Sequence, residues 1–351
     1  MSEINKNDNI IEVKDIKKWF PIRRSFSEIF KGKQRYIKAV DGVTFTIHRG
    51  EIFGLIGESG CGKTTTGKLI MKLLEPSHGQ MIFNKEDVTH IKKEKLAQYR
   101  RSVQMIFQDP YASMNPRFKI KDVLEEPLII HKMGKDRDER MEKVKQALMK
   151  VKLTPAEEIM GRYPHMLSGG QRQRAATART LILSPSMIVA DEPVSMIDLS
   201  TRAEILHMMK EVQRELNLTY LYITHDLSTA RYFTDRIAVM YLGRIVEMGD
   251  PDDVIDNPQH PYTKALIAAV CEPISGKVNI VKEVPIKGEI PSAANIPKGC
   301  RFHTRCPYAK QSCIDNPEPE LVEVGPNGHL AACSRYIDIK SEHPVLISAP
   351  F

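Results

Sequence analysis

Residues Gly57-Glu58-Ser59-Gly60-Cys61-Gly62-Lys63-Thr64 spell G-x-x-x-x-G-K-T, directly after the apolar run Ile52–Ile56 and directly before a helical stretch. A buried strand, a glycine-rich turn and a helix in that order commit the chain to an α/β fold with an anion at a helix N-terminus. Glycines 57, 60 and 62 let the backbone bend until its N–H groups face the β- and γ-phosphates of a nucleotide. Lys63 supplies a point charge, and the Thr64 hydroxyl suits Mg²⁺. Glu58, Ser59, Cys61 and Thr65 complete the stretch expected to wrap ATP. A chance glycine-rich turn would have neither the strand before it nor the helix after it.

The rest of the chain repeats the α/β alternation. Val43–His48 alternates with period two, and the helix from Lys63 is expected to run to Leu74, before Pro76. Downstream come a helix over Gly170–Leu183 and an apolar strand over Met187–Ala190 that ends in Asp191-Glu192. A helix over Thr201–Leu216, a strand over Thr219–Thr224 and two strands within Arg236–Met248 follow. Strands alternating with helices imply a largely parallel, covered sheet. Between the two halves, a Lys-, Glu-, Met- and Leu-rich block predicts an inserted helical subdomain at about 110–168. One phosphate loop and no long-period repeat define a single nucleotide-binding domain, 1–250. Frequent prolines beyond it mark a C-terminal appendage, 251–351.

Composition narrows the classes. Of 351 residues, 42% are hydrophobic, as in a globular protein. No apolar run approaches the ~18 residues of a membrane helix. Met1–Asn9 is polar, without the apolar core of a secretory signal. A place at the cytoplasmic face of the membrane, reached through a partner, is therefore expected. The net charge of +7 comes from 51 basic and 44 acidic residues scattered along the chain. Nucleic-acid binding would need a concentrated basic stripe with aromatics, so that class is set aside.

A phosphate loop alone leaves kinases, GTPases and many ATPases open. Leu167-Ser168-Gly169-Gly170-Gln171 narrows the choice: a serine hydroxyl and two glycine N–H groups at a helix start form a second anion cradle. With this pentapeptide the sequence resembles the ATP-binding-cassette family, matching its signature at every position. The resemblance implies a RecA-like parallel core with an antiparallel β subdomain and a helical insertion. It also implies that the cradle closes over ATP held by another subunit's phosphate loop. Residue by residue, Gln108 matches the glutamine loop that senses Mg²⁺ and the attacking water. Asp191 matches the aspartate of the Mg²⁺ shell, and Glu192 the general base or water orienter. His225 matches the histidine at the γ-phosphate, and Ser195-Met196-Ile197-Asp198 the loop that couples two active sites. The family usually has Ala and Leu where this chain has Met196 and Ile197. For adenine stacking Phe20 fits best, with Trp19 and Tyr36 as rivals; residues 21–37 are an insertion relative to shorter members. Singly, each of these residues has an ordinary structural reading; their joint order and spacing carry the assignment.

Six cysteines fall at 61, 271, 300, 306, 313 and 333. Spacing leaves Cys300, Cys306, Cys313 and Cys333 open to three readings: free buried thiols, a Cys₄ zinc site, or a [4Fe–4S] cluster. His260-Pro-Tyr-Thr-Lys-Ala-Leu266 and Gly299–Pro307 resemble the ATPases of oligopeptide and dipeptide importers, second-subunit type. That resemblance favours the [4Fe–4S] cluster. It also implies a second, related ATPase chain, two transmembrane permease subunits and an extracytoplasmic solute-binding protein as partners. Oligosaccharide importers of the same family are the alternative. A non-transport cassette for DNA repair or translation would carry a long coiled coil or two fused cassettes. A non-hydrolysing ATP-binding module would lack Glu192 and His225, both present here.

Overall fold

The computed structural model describes residues 8–22, 34–109, 114–270, 286 and 288–342. Most of the N-terminal segment, most of the 21–37 insertion, residues 110–113 of the glutamine loop and Cys271 lie outside them.

The first strands are β1 (Asn9–Pro21), β2 (Tyr36–His48) and β3 (Ile52–Ile56). In β2 the alternation read from Val43 onward buries Val43, Phe45 and Ile47 and turns the threonines between them outward. All five residues of β3 are buried, as befits a strand covered on both faces. Helix α1 (Lys63–Ile70) ends four residues short of the expected Leu74. The reason lies in Lys72, which takes a left-handed φ of 53° and turns its ammonium inside to the Thr89 carbonyl.

Next come β4 (His78–Phe83), β5 (Glu86–Asp87), α2 (Lys93–Ser102) and β6 (Val103–Ile106). The insertion consists of α3 (Ile120–Ile130), α4 (Arg137–Lys150) and α5 (Ala156–Gly161). The buried Glu125 of α3 accepts Arg140 of α4 at 2.8 Å, tying its two longest helices together. The core resumes with α6 (Gly169–Leu181), β7 (Met187–Asp191), α7 (Leu199–Leu216) and β8 (Thr219–Thr224). Then follow α8 (Leu227–Phe233), β9 (Arg236–Tyr241) and β10 (Arg244–Gly249). The C-terminal segment holds α9 (Pro251–Asp256), α10 (Pro261–Val270), α11 (Ser312–Asp315), β11 (Val322–Glu323), β12 (Leu330–Ala331) and α12 (Tyr336–Glu342).

Two sheets result. The smaller is antiparallel, in the order β2-β1-β4-β5. The larger runs β11-β12-β10-β9-β3-β8-β7-β6, with β9, β3, β8, β7 and β6 parallel. Period two divides its continuous apolar strands between two cores. Ile188, Ala190, Tyr220 and Tyr222 share one core with Ala178 of α6 and Leu206 and Met209 of α7. That core runs on into the helical insertion through Leu124, Leu128, Val144 and Leu148. Met187, Val189, Leu221 and Ile223 face the antiparallel sheet with Val13, Val43 and Phe45. All the parallel strands end on one edge, where ligands of open α/β sheets bind.

The C-terminal segment is bonded into this frame. Glu247 of β10 is fully buried and accepts the Gln259 N–H at 2.7 Å, the His260 N–H at 2.9 Å and His329 Nε2 at 2.8 Å. A buried carboxylate persists only with such a full complement of donors. On the opposite side Arg301 donates to Asp41 of β2 at 2.6 Å and to Glu318 at 2.9 Å.

Candidate functional site

The phosphate loop joins β3 to α1. A Cβ at Gly57 would lie 2.3 Å from the Met240 carbonyl oxygen, and one at Gly62 2.3 Å from that of Ala39. Gly62 also takes φ +115°. Both positions therefore exclude any side chain. Ser59 and Gly60 form the exposed tip. No side chain caps α1, so its first N–H groups stay free for an anion. Lys63 is buried beneath the loop and donates to the carbonyls of Gly57 at 2.7 Å and Glu58 at 3.0 Å. Cys61 is buried, which raises its thiol pKa, while Thr65 is half-exposed on α1.

Three other strand ends deliver side chains to the same edge. Asp191 closes β7, is 5% exposed and accepts the Thr64 hydroxyl at 3.2 Å. Burial raises its pKa, and the neighbouring Glu192 carboxylate adds to the rise. A hard divalent cation would favour the ionised form against this burial, and Thr64 with Asp191 is a suitable oxygen pair for one.

Glu192 follows with φ 47°, a left-handed conformation that costs a non-glycine residue ~1–3 kcal/mol and clusters at working sites. Its N–H is fixed on the Ile223 carbonyl of β8 at 2.9 Å. Its carboxylate is thereby held between two partners. Gln108, just beyond β6, donates through Nε2 at 2.9 Å, and His225, just beyond β8, lies with Nδ1 at 3.0 Å. Gln108, Asp191, Glu192, His225 and Thr64, scattered over nearly half the chain, thus meet at one strand edge beside the loop.

The other predicted residues stand apart from this group. Ser168 caps α6: its hydroxyl accepts the Gln171 N–H at 3.2 Å, and the Gln171 side chain accepts the Ser168 N–H at 3.1 Å. Gly169 and Gly170 fill the first turn, where N–H groups have no partner within a helix. Asp198 caps α7 by accepting Ser200 Oγ at 2.7 Å and the Thr201 N–H at 3.0 Å; these bonds pull its pKa down to about 2. Beside it Met196 and Leu199 are 66% and 80% exposed.

Phe20 is half-exposed and pairs with Ile37, two residues from the Ala39 carbonyl that abuts Gly62. Of its rivals, Trp19 is committed elsewhere. Its indole donates to Asp41 at 2.7 Å and carries the Lys38 ammonium at 4.6 Å.

Sequence reasoning missed two contacts to the loop. Tyr262 accepts the Glu58 N–H at 2.9 Å, and Arg305 grips the Glu58 carboxylate. Both lie within the two C-terminal stretches noted above for their resemblance, which was the available signal. Elsewhere in that segment Cys300, Cys306, Cys313 and Cys333 line one small cavity with Phe302 and Tyr308. Burial pushes Cys300 up to about 12 and Cys306 up to about 11, and the neighbouring thiols add to both shifts. Among the described residues no group of His, Cys, Asp or Glu is drawn onto a single metal point.

The ABC transporter family model matches residues 40–195, and the model for the oligopeptide/dipeptide transporter C-terminal region matches 246–313. The chain is 48% identical over 332 residues to the oligopeptide transport ATP-binding protein AppF of Bacillus subtilis, covering 94% of this chain and 98% of that protein. It is 43% identical over 333 residues to the dipeptide transport ATP-binding protein DppF of Haemophilus influenzae, covering 95% and 98%. Among solved structures it resembles the dimeric post-hydrolysis ATP-binding cassette MJ0796 bound to ADP and Pi. There the TM-score is 0.60 and the identity 27%, over 69% of this chain and 98% of that one. CbiO1 of Clostridium perfringens, part of the cbiONQ transporter complex, is similar with a TM-score of 0.61 and 26% identity, over 71% and 92%.

Proposed function

The chain belongs to the ABC transporter family, and on that premise we propose that it is the ATP-hydrolysing subunit of an importer of oligopeptides or dipeptides. The meeting of Gln108, Glu192 and His225 beside Thr64 and Asp191 carries this reading, since it is a hydrolytic rather than a merely binding arrangement. Lys63 and the N–H groups of the loop and α1 hold the phosphates, while Phe20 stacks on adenine. Thr64 and Asp191 would hold Mg²⁺, with Gln108 close by, and the bound ion would supply positive charge that neutralises the phosphates.

Glu192 orients a water for in-line attack and takes its proton. The water oxygen bonds to the γ-phosphorus as the bond to the β-bridging oxygen breaks, leaving ADP and phosphate. Gln108 holds the carboxylate from one side, and His225 from the other meets the charge that develops on the γ-phosphoryl oxygens.

Ser168, Gly169, Gly170 and Gln171 serve the ATP of a second cassette subunit, a relative of this chain rather than a copy. The exposed Met196 and Leu199 beside Asp198 support an interface there. Phe118, Ile129 and Ile130, all more than half exposed, give the helical insertion an apolar face for the two transmembrane permease subunits. An extracytoplasmic binding protein then delivers the solute. No helix among the described residues is long and apolar enough to cross a membrane. In proteoliposomes containing the permeases and the partner ATPase, peptide-loaded binding protein should stimulate ATP turnover and peptide uptake together. Stimulation by oligosaccharide and not by peptide would overturn the substrate assignment.

The cysteine set is proposed to ligate a [4Fe–4S] cluster with a structural role. Four thiols on one cavity suit four iron sites, and coordination would lower the thiol pKa values that burial raises. Anaerobically purified protein should be brown, with one cluster per chain and loss of colour in Cys306→Ala. Stoichiometric zinc, or four titratable iron-free thiols, would sink the idea.

A further inference from the structure

Glu58 is the second residue of the phosphate loop, and each of its polar groups is engaged. Its carbonyl accepts the Lys63 ammonium at 3.0 Å. Its N–H donates to Tyr262 Oη at 2.9 Å. Its carboxylate takes both arms of Arg305, at 2.9 and 3.2 Å. Two of these three anchors come from the C-terminal segment, 204 and 247 residues further along the chain.

The anchors are themselves rigidly held. The Arg305 side chain is 7% exposed, and its guanidinium lies 5.8 Å from the ring centres of both Tyr241 and Phe302. Tyr262 packs on the same pair, at 4.6 Å from Tyr241 and 5.6 Å from Phe302. Ile56, the last residue of β3, belongs to this cluster, which therefore sits directly beneath the point where the loop begins. A bidentate guanidinium–carboxylate pair fixes orientation as well as distance.

Two consequences follow for a bound nucleotide. A phosphate loop binds through peptide N–H groups, and a loop already aimed loses less affinity to ordering. Tyr262 holds the peptide plane before Glu58 through its N–H, and Arg305 fixes the Glu58 side chain. The second effect is electrostatic. Glu58 places a carboxylate in a loop that must receive a polyanion, and Arg305 neutralises it across a shielded contact. Without Arg305 that charge would oppose the phosphates at close range.

We propose that Tyr262 and Arg305 are positioning residues of the nucleotide site, which aim and neutralise the phosphate loop through Glu58 so that the C-terminal segment sets the affinity for Mg-ATP. This rests on the ATP-site reading above. In the chain, Arg305 directly precedes Cys306, so the cysteine-bearing segment and the nucleotide loop are mechanically one unit.

The test is titration of the full chain with a fluorescent Mg-ATP analogue, alongside steady-state hydrolysis. Saturable binding by the unaltered protein comes first; its failure would refute the ATP site itself. Arg305→Ala should weaken binding about tenfold or more, and Tyr262→Phe about threefold, the scale of one charge-assisted and one neutral hydrogen bond. KM for ATP should rise in step, while kcat at saturating ATP stays within about twofold, a change of under 1 kcal/mol. Adding Glu58→Gln to Arg305→Ala should recover part of the affinity, because the unneutralised carboxylate is then gone. General damage to the fold would lower kcat and would not be relieved by the second change. Unaltered affinity in both single variants overturns the proposal, and so does a double variant weaker than Arg305→Ala. Should Arg305→Ala fail to fold, Tyr262→Phe, which removes one oxygen, decides: unchanged KM and binding overturn it.

Discussion

Glu192→Gln is expected to reduce ATP turnover ~10²–10⁴-fold, the usual contribution of a positioned general base, while ATP binding and ATP-dependent association survive. The surroundings make this a clean substitution. The glutamine is isosteric and keeps an oxygen for the Gln108 amide, which donates at 2.9 Å in the parent chain. The N–H of residue 192 remains on the Ile223 carbonyl, so the left-handed backbone is held from the sheet and not by the carboxylate. What is lost is a basic oxygen beside His225. Neither Lys63 nor Thr64 bonds Glu192, and both keep their contacts to the loop and to Asp191. Nucleotide affinity should therefore change little. Single-turnover hydrolysis with size-exclusion in Mg-ATP separates the two outcomes. Turnover near that of the parent chain would remove Glu192 from the role of base, and loss of binding would show that it holds the nucleotide instead.

The contrast between what was and was not legible follows from sequence distance. Met187–Asp191 and Thr219–Thr224 were readable as strands because both faces are covered, which demands unbroken apolar runs. The loop glycines were readable because the clashes at Gly57 and Gly62 come with a fixed local motif. Gln108, Glu192 and His225 bear no local mark, and only resemblance joined them before their hydrogen bonds did. The end of α1 was misjudged because Lys72 leaves the helix for a tertiary bond to Thr89 that no propensity encodes. The contacts of Tyr262 and Arg305 were illegible for a related reason: resemblance marks their two stretches, but nothing local in them points to Glu58. Their meaning arises only when β12 pairs with β10 and Glu247 gathers Gln259, His260 and His329, folding that stretch back beneath the loop.

Ser168→Asp discriminates between the two meanings of the Ser168–Gln171 turn. Within one chain the turn is complete as a helix cap: Ser168 and Gln171 satisfy each other. Aspartate is as good an N-cap as serine, and a carboxylate suits the positive end of α6. Were capping its whole purpose, Ser168→Asp would be neutral or mildly stabilising, whereas Ser168→Ala would cost ~1 kcal/mol. If the turn instead receives the γ-phosphate of a partner's ATP, the order inverts. The added carboxylate would face a polyanion across a closed, poorly solvated interface, where like charges at 4 Å repel by ~4 kcal/mol at an effective dielectric of 20. Ser168→Asp is then expected to keep its melting temperature and its single-chain ATP affinity, yet to lose ATP-dependent association and ~10²–10³-fold of turnover. Ser168→Ala should do less harm to both. A Ser168→Asp protein that hydrolyses as the parent does would reduce this turn to a cap and leave the ATP site without its second half.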